Sequence, residues 1–107
     1  GTDVTVTLSS AVVSRTPVTS TITSSVNDQI LGVSASAALD IRLPAASGFS
    51  GGSKLIIKDE AGNADVHNIT IRTSGADKID GTTSVTLNSG HAAVNLYTNG
   101  SDKFFIY

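Results

Sequence analysis

Apolar and polar residues alternate with a period of two along most of this chain. Val4, Val6 and Leu8 face one way, and Thr5 and Thr7 the other. Val18, Ser20 and Ile22 oppose Thr19, Thr21 and Thr23; Leu39, Ile41 and Leu43 oppose Asp40 and Arg42. Ile69 and Ile71 oppose Thr70 and Arg72; Val85 and Leu87 oppose Ser84 and Thr86; Val94 and Leu96 oppose Asn95 and Tyr97. Successive strand side chains point to opposite faces, so each run predicts a half-buried antiparallel strand. Leu55-Ile56-Ile57 and Phe104-Phe105-Ile106-Tyr107 break the rhythm. Continuous apolar runs predict strands covered on both faces. In a domain this small the second cover is most easily another copy of the chain.

Turn chemistry falls between these runs. Asn27-Asp28 separates Ile22 from the stretch Gln29 to Val33, and Pro44 ends a strand ahead of a Gly/Ser-rich loop, Ala45 to Ser53. Glu60-Ala61-Gly62-Asn63 is a turn whose Gly can take positive φ. Asp80-Gly81 and Asn99-Gly100 are hairpin-type dipeptides. Helix signals are weak; the best, Ser34 to Leu39, is short and rich in Ser. No repeat of fixed period is visible, which argues against a solenoid. The pattern predicts an all-β protein, an antiparallel β-sandwich or a jelly-roll-like barrel. Residues 1–16 differ in texture and are expected to be an N-terminal strand and a connector from an upstream shaft. Residues 17–107 are expected to form a single β-sandwich domain.

Composition narrows the function. At 107 residues the chain suits one domain with little margin in its surface-to-volume ratio. Aromatic residues make up 5%, and Trp and Met are absent. Large apolar anchors are therefore scarce, and burial against identical copies would add stability by mass action. Ser and Thr supply roughly a quarter of the residues, far above ordinary usage, and Thr suits the wet face of a strand. Seven basic residues, no two adjacent, and a net charge of −2 argue against nucleic acid, which needs clustered cations. Without cysteine there is no disulfide framework, thiolate metal site or cysteine nucleophile. No apolar run approaches a membrane span, so no membrane insertion is expected. Gly1-Thr2-Asp3-Val4 has neither the basic nor the apolar part of a secretory signal. The absence of Met matches a processed or excised piece.

No catalytic, metal or cofactor constellation emerges, and no enzyme is expected. His67 and His91 lack ligand spacing, and metal sites need three or four ligands with a second shell. Asp59, Glu60, Asn63 and Asp65 crowd one loop, but the spacing is not that of a calcium-binding EF-hand. Side-chain capping of backbone amides is the expected role there. Asp59/Glu60 and Asp77/Asp80 resemble a glycosidase pair by residue type alone. Tyr97 is the aromatic that opposes the apolar face of its strand, next to a polar tip. Such a ring suits a saccharide, making Tyr97, Asn99, Asp102 and His91 the candidate glycan contacts. Leu55, Ile57, Phe105 and Tyr107 are the candidate subunit contacts.

Several strings have a family look. They are Leu43-Pro44-Ala45-Ala46, Ile56-Ile57-Lys58-Asp59-Glu60-Ala61-Gly62-Asn63-Ala64, Asn68-Ile69-Thr70-Ile71 and Ile79-Asp80-Gly81. In this order they resemble the β-rich module near the C-terminal ends of tailed-bacteriophage tail fibres and tailspikes. The similarity covers about Thr16 to Tyr107 and consists of strand and turn positions. It departs at Lys103-Phe104-Phe105-Ile106-Tyr107, where a Trp is expected; Phe104 or Phe105 can serve as the anchor. The resemblance implies a homotrimer in the virion, at the fibre or tailspike, that meets host cell-surface polysaccharide or lipopolysaccharide. The alternative is a monomeric carbohydrate-binding module of a secreted enzyme or adhesin.

Overall fold

The computed structural model describes residues 13–107. Ten short strands account for nearly all its regular structure: β1 (Arg15–Val18), β2 (Ile22–Thr23), β3 (Ile30–Val33), β4 (Leu39–Arg42), β5 (Lys54–Asp59), β6 (Ile69–Arg72), β7 (Lys78–Ile79), β8 (Ser84–Leu87), β9 (Ala93–Thr98) and β10 (Lys103–Ile106). Among the described residues the 3-10 turn Ala46–Gly48 is the helical part. Ser34 to Leu39, the best helix signal, is a bend leading into β4. The expected strand Val4 to Leu8 lies outside the described residues. Arg15 and Thr16, expected in a connector, belong to β1.

The strands form two sheets, ordered β1-β3-β5-β9-β10-β7 and β2-β4-β6-β8. The expectation of antiparallel pairing is corrected: both sheets are mixed. From β1 to β6 the chain alternates between sheets, and each strand lies parallel to the one two places earlier. Antiparallel pairing enters when β9 returns along β5, β10 folds back on β9, and β8 closes the second sheet against β6. β7 then lies parallel to β10. Period-two alternation reports which face is wet, and it is the same for either pairing direction. The winding has no fixed sequence period because its excursions differ in length. Arg15 faces Ile30, whereas Ile30 faces Ile56.

The core lies between the sheets. Val18, Leu31, Val33, Leu55, Ile57, Val94, Leu96 and Phe104 come from one sheet and Leu39, Ile41, Ile69, Ile71 and Leu87 from the other. Phe104 fills the anchor position at the C-terminal end, edge-on to Phe49 with ring centroids 5.8 Å apart. The run Leu55-Ile56-Ile57 follows the alternation after all: Leu55 and Ile57 are buried, and Ile56 is half-buried on the outer face. Leu55 and Ile57 are thus core residues of the single chain, with no surface to offer a second copy, which corrects their expected role as subunit contacts. In Phe104 to Tyr107, Phe104 is buried and Phe105 half-buried, while Ile106 and Tyr107 are exposed, so the run loses its cover toward the C-terminus.

Ile57 is completely buried, so truncating it leaves a cavity among neighbours that relax incompletely. Ile57→Ala is expected to lower the unfolding free energy by about 2–5 kcal/mol, measured by urea denaturation.

Candidate functional site

Alternation along β5, β9 and β10 sends every second side chain to the outer face of the six-stranded sheet. The register then decides which of these meet. Lys54 pairs with Tyr97, and Tyr97 with Phe105, so the three form one row across the sheet. Ile30, Ile56 and Asn95 form the next row, which Tyr107 joins by donating its amide N–H to the Asn95 carbonyl at 3.0 Å. The Tyr97 ring centroid lies 5.2 Å from that of Phe105 and 5.7 Å from that of Tyr107. The Lys54 ammonium sits 5.7 Å from the Tyr107 centroid, a cation on an aromatic face. A groove of about 340 Å³ opens beside this cluster, lined by Val13, Gln29, Gly52, Lys54, Ile56 and Tyr107.

Two sets kept apart by sequence reasoning become one cluster here. Tyr97, expected to meet glycan, stacks with Phe105 and Tyr107, expected to meet another subunit. The remaining glycan candidates fare differently. Asn99 spends its side-chain oxygen on the amides of Ser101, Asp102 and Lys103, at 2.9, 3.1 and 3.1 Å, and its amide nitrogen on Asp102 at 3.0 Å. These bonds shape the β9–β10 hairpin, in which Gly100 takes φ +74°. The hydrogen bond from Asn99, and then that from Lys103, hold the Asp102 carboxyl below its ordinary range. Asn99 and Asp102 therefore build the tip beside Tyr97. His91 lies in the turn before the other end of β9, with φ +64°; the fold does not bring it to the cluster.

His91 belongs instead to a knot around Asp59. The Asp59 side chain is fully buried. It accepts the amides of Gly62 at 3.0 Å, Ala64 at 2.9 Å and His91 at 2.9 Å. The expected capping role of this loop is therefore what its acidic residue performs. Burial alone pushes the Asp59 carboxyl up; the donors from Ala64, His91 and Gly62, with the nearby His91 charge, outweigh it and hold the carboxyl below its ordinary range. Gly62 takes φ +81°, and a Cβ there would overlap the His91 ring, so the turn accepts glycine for two separate reasons.

Glu60 turns the other way. Its carboxylate lies over Gly32 in β3, where a Cβ would collide with it, and forms a two-point pair with Arg15, whose Nε donates at 2.9 Å. The hydrogen bond from Arg15 lowers the Glu60 carboxyl from its ordinary value. Asn63 donates to the Ala35 carbonyl at 2.7 Å. Asp59 and Glu60 thus point to opposite sides of the sheet and share no site. Asp77 accepts the Ala46 amide at 2.8 Å and Asp80 the Ile106 amide at 3.4 Å, so both carboxylates serve loop geometry. His67 stays in the loop after Asp59, its amide bonded to the Asn63 carbonyl at 2.8 Å.

The other sheet presents a hollow of about 230 Å³ lined by Thr21, Ile22, Thr23, Asp40, Arg42 and Arg72. It has no aromatic ring, Arg72 is paired with Asp40 at 2.9 Å, and Arg42 donates to the Thr73 carbonyl at 3.3 Å. Its charges are spent on the protein itself, and the aromatic groove is the stronger candidate. In comparisons with known proteins, no family model matches the chain and no curated protein is significantly similar to it.

The Asp59 knot has a pH signature. An unfolded Asp titrates near pH 3.9 and the folded one lower, so its contribution is complete above that value and is lost as pH falls through the folded pKa. Asp59→Asn is expected to destabilise the protein at pH 7 by about 1–3 kcal/mol, the cost of leaving buried donors poorly satisfied. It should also flatten the loss of stability below about pH 4. Thermal unfolding of both proteins between pH 2.5 and 7 measures both effects.

Proposed function

We propose that this chain is a C-terminal module of a tailed-bacteriophage tail fibre or tailspike that trimerises and binds host-surface glycan. It would act in the virion, at the host surface. The observation that carries the glycan half is the stacked cluster of Tyr97, Phe105 and Tyr107 beside an open groove. In a chain with 5% aromatic residues, placing three of the five on one outer face spends scarce rings where they bury little of the core. Aromatic faces with polar edges suit sugar rings, and a concave groove with a few polar groups beside them is where a ligand settles. The resemblance of the Lys58-to-Ala64 and Ile79-Asp80-Gly81 strings to fibre modules supports the assignment to a virion.

Support for the trimer is of a different kind. Ile106 on β10, which does not line the groove, is 42% exposed. Apolar side chains at the C-terminal strand are suited to contact with a second and third copy, and three copies of one weak glycan site gain avidity. A second reading, the monomeric carbohydrate-binding module, is favoured by one observation: Leu55, Ile57 and the rest of the core are buried within a single chain.

Light scattering on a sizing column separates the two, a mass three times that of the chain supporting the fibre module and a concentration-independent monomer the lone module. In either case the double substitution Tyr97→Ala, Tyr107→Ala is expected to reduce retention on host polysaccharide by at least about tenfold, the loss of roughly 1.4 kcal/mol or more of ring stacking. Unchanged retention would remove the aromatic cluster as the glycan site.

A further inference from the structure

The seven basic residues lie far apart in sequence, and the fold collects five of them on one surface. Arg15 on β1, Lys54 and Lys58 on β5, Lys78 on β7 and Lys103 on β10 all hold outward positions of the six-stranded sheet. These include every lysine in the chain. No Asp or Glu holds an outward position on any of the six strands. Carboxylates reach this sheet from its loops: Glu60 extends over Gly32 and holds Arg15, Asp102 lies 3.2 Å from Lys103, and Asp80 takes the Ile106 amide. Lys58 donates to the His91 carbonyl, a neutral partner. Among the described residues, Lys54, Lys58 and Lys78 therefore have no carboxylate at ion-pair distance. With a net charge of −2 on the whole chain, this segregation makes one face positive against a negative remainder.

The groove is also rich in donors and poor in acceptors. An ammonium has three N–H groups and no acceptor. The side-chain oxygen of Gln29 already accepts the Ser14 amide at 2.7 Å, so its NH₂ is the part of the side chain left as a donor. A neutral sugar offers hydroxyls, each of which needs both donors and acceptors; a carboxylate accepts only. The charge pattern also discriminates among anions. Arginine forks match phosphate and sulfate, whereas a lone ammonium is a point charge. The one arginine on this face is already held by Glu60.

Building on the glycan-binding reading above, we infer that the groove takes an acidic polysaccharide. A sugar ring lies on Tyr97 and Tyr107, its carboxylate is seated at Lys54, and the polymer runs across β9 and β10 toward Lys103 and Lys78. The ligand class is a polymer of uronic acids or of other carboxylated sugars.

The test is retention of the whole chain on a panel of immobilised polysaccharides arranged in pairs, each carboxylated polymer beside its carboxyl-reduced form, with a sulfated polymer included. The expected result is retention on one or more carboxylated members, weaker on the reduced partner and weaker at 300 mM than at about 50 mM salt, where screening is slight. Lys54→Gln should weaken retention about three- to fivefold, the scale of an exposed ion pair. Arg42→Gln, the same charge change on the opposite sheet, should leave it unaltered. Equal retention of the reduced partner, indifference to Lys54→Gln, or preference for the sulfated polymer overturns the inference while the glycan reading stands. Retention on no member of any pair overturns both.

Discussion

The structure depends on one buried charge. Asp59 is the only fully buried acidic or basic residue among those described, and it ends β5, the strand with parallel β3 on one side and antiparallel β9 on the other. Its carboxylate gathers the amides of Gly62, Ala64 and His91 from the two loops that leave β5 and enter β9. A buried carboxylate is costly unless nearly all its acceptor sites are filled. Here the filling is done by backbone, so the loops are fixed by the same bonds that make the charge tolerable. Fixing them sets where β9 begins, and hence the register that lays Tyr97 against Lys54.

The chain reaches this point by winding and then reversing. Parallel strands need a crossover between partners, and β1 to β6 supply it by visiting the opposite sheet each time. In the second half β9 and β10 are antiparallel because a tight hairpin joins them, which only antiparallel neighbours allow. The reversal places the C-terminal strand beside β9 with Phe104 in the core and Phe105 outward, and it leaves β1 and β2 as edges of their sheets.

The two outer faces are unlike each other. One carries threonines, with Asp40 and Arg72 paired, and consumes its charges internally. The other carries all the lysines and three of the five aromatic rings. Neither arrangement follows from core packing, because outward positions contribute little to it. An outer face that concentrates one sign of charge and the scarce rings is the feature on which the proposed acidic-glycan surface rests.

Much of this was legible in the sequence. Alternation identified the inward residues of β4, β6, β8 and β9 correctly, because side-chain period depends on the backbone of each strand alone. The turn glycines were legible for the same local reason, as was the outward placement of Tyr97. The direction of pairing was not, since a strand's alternation is blind to which neighbour it finds. Val18 to Thr23 read as one strand yet divides between β1 and β2 in different sheets, because a change of sheet needs only a bend. Leu55 and Ile57 read as spare apolar surface because a three-residue run does not say how many layers cover it. The lysine face was invisible: Lys54, Lys58, Lys78 and Lys103 are separated by whole strands and loops. Local backbone preferences write themselves into neighbouring residues, so the sequence determined the strands, their wet and dry faces and their turns. Register between distant strands depends on how the whole core packs, so only the tertiary structure decided which outward residues share a surface.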